Sequence, residues 1–138
     1  MLTHETPYRV IYGDTDQMGV VYYANYFRFF EMGRAAMFRH LGLSYREIES
    51  RGVVLPVSEA FCKYLASARY DDLLRIETSL DTTIRGGMKF DYAIRRESDG
   101  ILLVTGHTKH ACMTTEGRVI RPPGFLKALI TAREAPAG

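Results

Sequence analysis

The stretch that decides the fold runs from Tyr12 to Leu43 and reads YGDTDQMGVVYYANYFRFFEMGRAAMFRHLGL. It opens on a polar loop that holds two acids, Asp14 and Asp16. From about Tyr23 to Leu41, apolar residues recur at helical spacing and charged residues fall largely between them. This pattern predicts one long amphipathic helix directly after the acidic loop.

The rest of the chain favours strands. After Gly42, a helix terminator, Ser44 and Glu47 form a capping box for a short second helix. Period-two alternation then predicts four strands, in VVLPVSEAFCKYL, LRIETSLDTTI, MKFDYAIRRE and ILLVTGHTKHACMTT. Pro7–Tyr12 is a candidate first strand, and tight turns are expected at 85–87 and 98–100. The sequence therefore predicts an α+β fold, one long helix packed on a curled antiparallel sheet of about five strands.

Bulk properties narrow the class of protein. The 138 residues predict a single domain over 1–138, and the net charge of +2 is too small to indicate nucleic-acid binding by itself. The two cysteines, Cys62 and Cys112, lie far apart without a CxxC motif, which favours reduced thiols and a cytoplasmic location. No apolar window long enough for a membrane span occurs, and G-x-S-x-G, G-x-G-x-x-G and P-loop motifs are missing from the sequence.

The segment GDTDQMGVVYYANYFRFFE, residues 13–31, carries a family resemblance. An Asp, two further residues, Gly-Val-Val, an aromatic residue and a helix start follow in that order. The segment resembles the signature of hotdog-fold acyl-CoA thioesterases of the 4-hydroxybenzoyl-CoA thioesterase type, and is also similar to their Tol–Pal-associated branch. The resemblance extends over nearly the whole chain at the level of architecture, but at the level of residues it is confined to 12–43.

The resemblance implies hydrolysis of an acyl thioester and two catalytic positions. The catalytic carboxylate of the family maps onto Asp16, and the backbone amide that polarises the thioester carbonyl maps onto Tyr23. The Tol–Pal branch usually has His at the second position. A backbone N–H does not require a particular side chain, so the change affects the expected substrate class rather than carbonyl activation.

Elementary chemistry agrees with this mapping. Free N–H groups at a helix N-terminus stabilise negative charge that develops on a carbonyl oxygen. A carboxylate opposite them can attack the carbonyl or take a proton from water, and the sequence leaves both roles open. An Asp before a helix is otherwise a cap or turn former, which is our interpretation of Asp14.

Further candidates come from position along the chain. Gly19 allows the bend that would bring Asp16 to the helix start, and we expect Gly19, Val20, Tyr22 and Tyr26 among the substrate-binding residues. For the phosphates of coenzyme A, the candidates are Arg85, Lys89 and Arg121.

Glu31 is a second-choice carboxylate, with a surface ion pair or an interface contact as its favoured role. The strand residues His107 and His110 lie three apart and so on opposite faces, which makes a zinc site improbable.

The resulting expectation is a thioesterase that needs no metal or redox cofactor and acts on acyl-CoA. Because a long sheet leaves an edge exposed, two protomers should pair edge to edge. The resemblance implies active sites at the dimer interface and often a homotetramer. Two alternatives stay open. One is a hydroxyacyl-thioester dehydratase of the same fold, which lacks support because residues 13–39 hold no His. The other is a non-catalytic acyl-CoA binder or interaction module.

Overall fold

The computed structural model describes the backbone of residues 2–134 and the side chains of residues 2–131. Three α-helices, eight strands and a short 3₁₀ turn occur in this part of the chain. The strands are β1 (Leu2–Arg9), β2 (Val53–Val54), β3 (Val57–Tyr64), β4 (Leu73–Leu80), β5 (Met88–Arg96), β6 (Leu102–His110), β7 (Cys112–Thr114) and β8 (Val119–Ile120). The helices are α1 (Asn25–Leu41), α2 (Tyr45–Ser50) and α3 (Gly124–Glu134), and the 3₁₀ turn is Tyr12–Asp14.

The strands form two antiparallel sheets. The larger sheet has five strands in the order β1-β4-β5-β6-β3, and the smaller sheet has the order β2-β7-β8. One face of the large sheet is apolar because alternate residues of β4 and β5, such as Ile76, Phe90 and Ile94, point to the same side and are buried. The predicted α+β class with a sheet of about five strands is therefore present.

Helix α1 packs on this apolar face through an apolar stripe, as its helical periodicity predicted. Phe29, Phe30, Met37 and Phe38 are almost completely buried. The helix ends at Gly42, which adopts the left-handed conformation with a φ of 92°, as its place in the sequence predicted. The short helix α2 is capped by Ser44, whose hydroxyl accepts the Glu47 N–H, so that part of the prediction is confirmed.

Several predicted boundaries were wrong because long-range pairing decides them. The first strand is Leu2–Arg9 rather than Pro7–Tyr12, since its register against β4 runs from Leu2↔Leu80 to Arg9↔Leu73. The connection between β4 and β5 spans residues 81–87, so it is longer than a tight turn at 85–87. The tight turn predicted at 98–100 is confirmed, since the Arg96 N–H donates to the Ile101 carbonyl at 3.0 Å and the Gly100 N–H to the Arg96 carbonyl at 2.8 Å.

Two predicted long strands are each divided between the sheets. The chain leaves the large sheet at Pro56 on one side and at Ala111 on the other. The Ala111 N–H donates to the Pro56 carbonyl at 3.1 Å, which holds the two crossing points together. Pro56 has no N–H for a ladder bond, which explains the break beside it. The strand that follows, β3, is an edge strand with a register shift between Val57 and Glu59.

Both cysteines are free thiols, Cys112 buried and Cys62 half-buried. Within the described backbone, none of the helices is long and apolar enough to cross a lipid bilayer.

The contact between α1 and the sheet is closest at Gly33, and this gives a prediction for stability. A methyl group on Gly33 would collide with Thr78 Oγ1 and lie 2.8 Å from Ile76 Cγ2. We expect Gly33→Ala to lower the free energy of unfolding by about 1–3 kcal/mol, because overpacking outweighs the gain in helix propensity. Urea denaturation followed by circular dichroism measures the change. Gly124→Ala is the matched control, since a methyl group at this other helical glycine meets no atom within 4 Å, and an equal loss in both variants would contradict the packing argument.

Candidate active site

The loop that precedes α1 is fastened by the side chain of Asp14. This carboxylate is only 1% exposed. It accepts hydrogen bonds from the Tyr8 hydroxyl at 2.7 Å and the Ile11 N–H at 3.0 Å, and it forms an ion pair with Arg28 of α1. Asp14 therefore joins β1, the loop and the helix, which agrees with its predicted role as a turn-forming residue.

The backbone of the same residue reaches the start of the helix. The Asp14 carbonyl accepts the Tyr22 N–H at 2.9 Å and the side-chain amide of Asn25 at 2.8 Å. Within the loop, the Asp16 N–H donates to the Val20 carbonyl at 2.9 Å, and the Gly19 N–H donates to the Asp16 carbonyl at 3.0 Å. Gly19 has a φ of 79°, a conformation that favours glycine. These bonds fold residues 14–22 into a compact loop at the helix N-terminus.

The start of α1 has no side-chain cap. Ala24 stands at the N-cap position and provides no capping hydrogen bond. The first N–H groups used in the helical turn are those of Asn25 and Tyr26, which donate to the carbonyls of Tyr22 and Tyr23. Within residues 2–134, the N–H groups of Tyr23 and Ala24 have no acceptor. An uncapped helix start of this kind leaves donors available to an outside group.

The Asp16 carboxylate is half-buried and points toward the same region. One of its oxygens, Oδ1, accepts the Met18 N–H at 2.9 Å. No cation of the described side chains lies within 4.0 Å of it, so Asp16 is not held in an ion pair. The carboxylate therefore keeps acceptor capacity for another group.

Asp16 and Tyr23 line one cavity of about 290 Å³. Val20 and Tyr26 contribute to its wall. Tyr26 is a core residue as well, because its ring is buried and its hydroxyl accepts the Ala68 N–H at 3.3 Å. The structure therefore brings together four of the residues that the sequence analysis selected.

Tyr64 of β3 is a cavity residue that sequence reasoning missed. Its hydroxyl donates to the Tyr23 carbonyl at 2.9 Å. Partial desolvation and the neighbouring Cys62 raise the pKa of Tyr64 to about 12. The hydroxyl is protonated at neutral pH and can donate. The alternation of β3 predicted only that Tyr64 lies in a strand, and no local signal indicates that this strand reaches the start of α1.

Five other candidates lie outside this cavity in the single chain. Gly19 shapes the loop, and Tyr22 packs against Tyr23 with ring centroids 4.6 Å apart and an interplanar angle of 46°, but neither lines the cavity. The basic candidates surround two different cavities. Lys89 and Arg121 line one of about 580 Å³, while Arg85 and Arg121 line another of about 430 Å³.

The register of the sheet separates these basic residues from Asp16. Tyr64 pairs with Val104 near the start of β6, whereas Met88 pairs with His110 at its end. Six residues of strand correspond to about 20 Å. Within one chain, the basic group therefore lies at the opposite end of the sheet from Asp16.

The histidines and Glu31 also lie away from the cavity. His107 faces the outer side of the sheet, where its Nε2 lies 2.7 Å from Glu59 Oε2. His110 is buried on the inner side beside the Leu55 carbonyl, and burial lowers its pKa. The two rings are thus on opposite faces, as their spacing predicted. In the part of the chain that the structure describes, no three His, Cys, Asp or Glu side chains come together in a metal-binding group.

The cavity can stabilise negative charge on one side and offer a base or nucleophile on the other. The unpaired amides of Tyr23 and Ala24 lie at the positive end of the α1 dipole. The Asp16 carboxylate supplies an acceptor of protons or an attacking oxygen. A carbonyl compound held between them would be polarised and attacked within one small volume.

Comparison with known proteins identifies the family of the chain. The family model described as the thioesterase-like superfamily matches residues 10–132. A putative acyl-CoA thioesterase of Bacillus subtilis, YneP, is 32% identical over 119 residues, which cover 86% of this chain and 84% of that protein. The 4-hydroxybenzoyl-CoA thioesterase of Pseudomonas sp. strain CBS-3 is 30% identical over 95 residues, 67% of each chain.

Solved structures extend the likeness to three dimensions. The crystal structure of the DHNA-CoA thioesterase from Staphylococcus aureus superimposes with a TM-score of 0.86 at 29% identity and covers 96% of this chain and 92% of that one. The predicted hotdog fold and the predicted family resemblance are both confirmed by these matches. The chain therefore belongs to the thioesterase-like superfamily.

Proposed function

We propose that the protein is an acyl-CoA thioesterase that hydrolyses an acyl-CoA to a free acid and coenzyme A. Residues 1–138 form its single domain in this proposal, and α1 serves as the central helix of the hotdog fold. The names of the relatives support the reaction class. The observation that carries the proposal is the shared cavity: among the described residues it is lined by Asp16, whose carboxylate has no ion-pair partner, and by Tyr23, whose N–H has no acceptor.

The Tyr23 amide acts as the oxyanion donor in this mechanism. As the thioester carbonyl is attacked, its oxygen becomes negative and accepts a hydrogen bond from the Tyr23 N–H. The helix dipole and the neighbouring Ala24 N–H reinforce that donor. A single oxyanion-hole donor is worth about 2.7–4 kcal/mol of activation free energy.

Asp16 supplies the attack on the carbonyl carbon by one of two routes. As a nucleophile, it forms an acyl–carboxyl anhydride while the C–S bond breaks and coenzyme A leaves as a thiolate, and water then cleaves the anhydride. As a general base, it takes a proton from a water molecule whose oxygen forms the new C–O bond while the C–S bond breaks. Both routes consume one water and require neither a metal nor a redox cofactor.

Assembly into a homodimer explains how the basic residues take part. All eight residues of the edge strand β3 are exposed or half-exposed. Antiparallel pairing of two β3 strands would set the Val57 end of one beside the Tyr64 end of the other. Lys89 and Arg121 of one protomer would then approach the Asp16 cavity of its partner, where they and Arg85 would bind the phosphates of coenzyme A. We propose a homodimer on this basis, and a homotetramer as the larger assembly that the family resemblance implies. The two free cysteines support a proposed cytoplasmic location.

A dehydratase finds less support. That chemistry needs a His opposite an acid, and among the described residues no His lines the Asp16 cavity. A non-catalytic acyl-CoA binder is separated from an enzyme by assay alone, since tight binding without turnover in the wild type would favour it.

Replacement of the carboxylate tests the chemical step directly. We expect Asp16→Asn to lower kcat for thiol release from acyl-CoA by about 10²–10⁴-fold, because the base or nucleophile is lost. Binding of acyl-CoA should persist, since an Asn Oδ1 can still accept the Met18 N–H and keep the loop shape. Thiol release is followed with a chromogenic thiol reagent and binding by calorimetry. Asp71→Asn is the matched control in a nearby loop, and unchanged turnover in Asp16→Asn would reject the catalytic assignment.

The Tyr64 hydroxyl provides a second test at the oxyanion side. We expect Tyr64→Phe to lower kcat by about fivefold with little change in KM, because the Tyr23 carbonyl loses a hydrogen bond worth about 1 kcal/mol that orients the helix start. Steady-state kinetics on the same acyl-CoA give both constants. Tyr12→Phe is the control, since that residue is exposed and remote from the cavity lining. A rise in KM alone would assign Tyr64 to substrate binding instead.

Phosphate binding is tested by two substrates. Arg85→Gln combined with Lys89→Gln should raise KM for an acyl-CoA several-fold, and should leave KM for an acyl-pantetheine thioester without the nucleotide nearly unchanged. Arg46→Gln on α2 is the matched neutral control. An equal effect on both substrates would show that these side chains do not contact the nucleotide.

A further inference from the structure

Arg34 of α1 is a buried cation without an anionic partner. It is only 8% exposed. Its Nε donates to the Tyr45 hydroxyl at 2.9 Å and its Nη1 to the Tyr92 hydroxyl at 3.0 Å. Among the side chains of residues 2–131, no carboxylate lies within 4.0 Å of the guanidinium. A buried charge that lacks a counter-ion is unfavourable, so a further group is expected to complete this site.

One helical turn before Arg34 lies an acid that has no cationic partner among the described side chains. Glu31 is exposed on α1, and within the described side chains it takes part in no hydrogen bond or ion pair. Glu31 and Arg34 line the same cavity, of about 390 Å³. The spacing i, i+3 would permit an ion pair within the helix, yet the chain does not form one.

The cavity opens at a surface that exposes apolar side chains and, within residues 2–134, an unpaired strand edge. Its wall includes Phe27 of α1 together with Val57 and Ala60 of β3. Phe27 and Val57 are exposed apolar side chains. The outer edge of β3 lacks a strand partner in the described chain, so its backbone N–H and C=O groups are available for pairing.

We propose that this surface is covered by a second copy of the chain, in which Glu31 and Arg34 form two reciprocal ion pairs across a two-fold axis. In an isologous interface, a contact from Glu31 to the second copy's Arg34 implies the same contact in reverse. The observed surface meets that requirement because it carries one unpaired charge of each sign beside apolar residues. A small anionic ligand would satisfy Arg34 but would leave Glu31 unpaired in the same cavity.

This inference rests on the homodimer of the proposed function and assigns it a specific contact. Charge pairs of this kind select one orientation of the partner over others. The pairs would therefore fix how the two α1 helices face each other, and with them the approach of one protomer's strands to the other's Asp16 cavity.

The first experiment measures dimer dissociation. Sedimentation velocity at decreasing concentration gives the dissociation constant of the wild type and of Glu31→Lys. We expect the substitution to raise this constant by at least about tenfold, because two attractions become two repulsions. Glu49→Lys, an exposed acid on α2, is the matched control and should dissociate like the wild type. Equal constants for Glu31→Lys and Glu49→Lys, or a monomeric wild type, would overturn the proposal.

The second experiment tests directly whether positions 31 and 34 of different chains are in contact. It does not depend on the reason for which Glu31→Lys changes dimerisation. Arg34→Lys preserves the charge and provides an amine that a carbodiimide can couple to a carboxylate at contact distance. Isotope-labelled and unlabelled chains of this variant are mixed, coupled and analysed by mass spectrometry. We expect an amide that joins position 34 of one chain to Glu31 of the other, and its loss in Arg34→Lys combined with Glu31→Gln. A link confined to a single chain, or none, would refute the intermolecular pair.

Thiol-release assays separate this inference from the proposed function. An intermolecular link in the Arg34→Lys variant, together with a wild-type dimer that lacks turnover, would sustain the ion pairs and reject the thioesterase. Full turnover of the wild type, with no intermolecular link in the Arg34→Lys variant, would sustain the enzyme and reject the ion pairs.

Discussion

The buried Asp14 carboxylate is the contact on which the candidate site depends. It accepts two hydrogen bonds and pairs with Arg28 of α1, while its carbonyl holds the Tyr22 N–H. Hydrogen bonds to a charged group contribute about 1.5–3 kcal/mol each, which is large beside a total stability of about 5–15 kcal/mol. Asp14 therefore fixes the loop that carries Asp16 relative to the helix that carries the Tyr23 amide.

The sequence predicted the helices, caps and strand alternation that depend on residues close together along the chain. The period of α1, its end at Gly42, the Ser44 cap and the alternation of β4 and β5 are each set by neighbouring residues. The signature at 13–31 likewise predicted that Asp16 and Tyr23 come together, and they share a cavity. Their catalytic roles stay predictions.

Features that depend on pairing between distant residues could not be predicted from the sequence. The extent of β1 follows from its register with β4, and the division of two long strands follows from the pairing of their segments in two different sheets. Tyr64 is 41 residues from Tyr23 along the chain, so no pattern of short range connects them. Arg85, Lys89 and Arg121 were selected as one group, and only the sheet register separates them from Asp16 in a single chain.

The two reactive groups lie close together along the chain, and this affects how substrate preference can change in evolution. Asp16 and the Tyr23 amide belong to one contiguous loop and helix start, whose hydrogen bonds are largely internal to that segment. The walls around them come from distant strands such as β3. Mutations in those strands that leave the Tyr64 hydroxyl in place can reshape the space offered to an acyl group while the reacting atoms keep their positions. Selection can therefore change substrate preference in this architecture without rebuilding the chemical step.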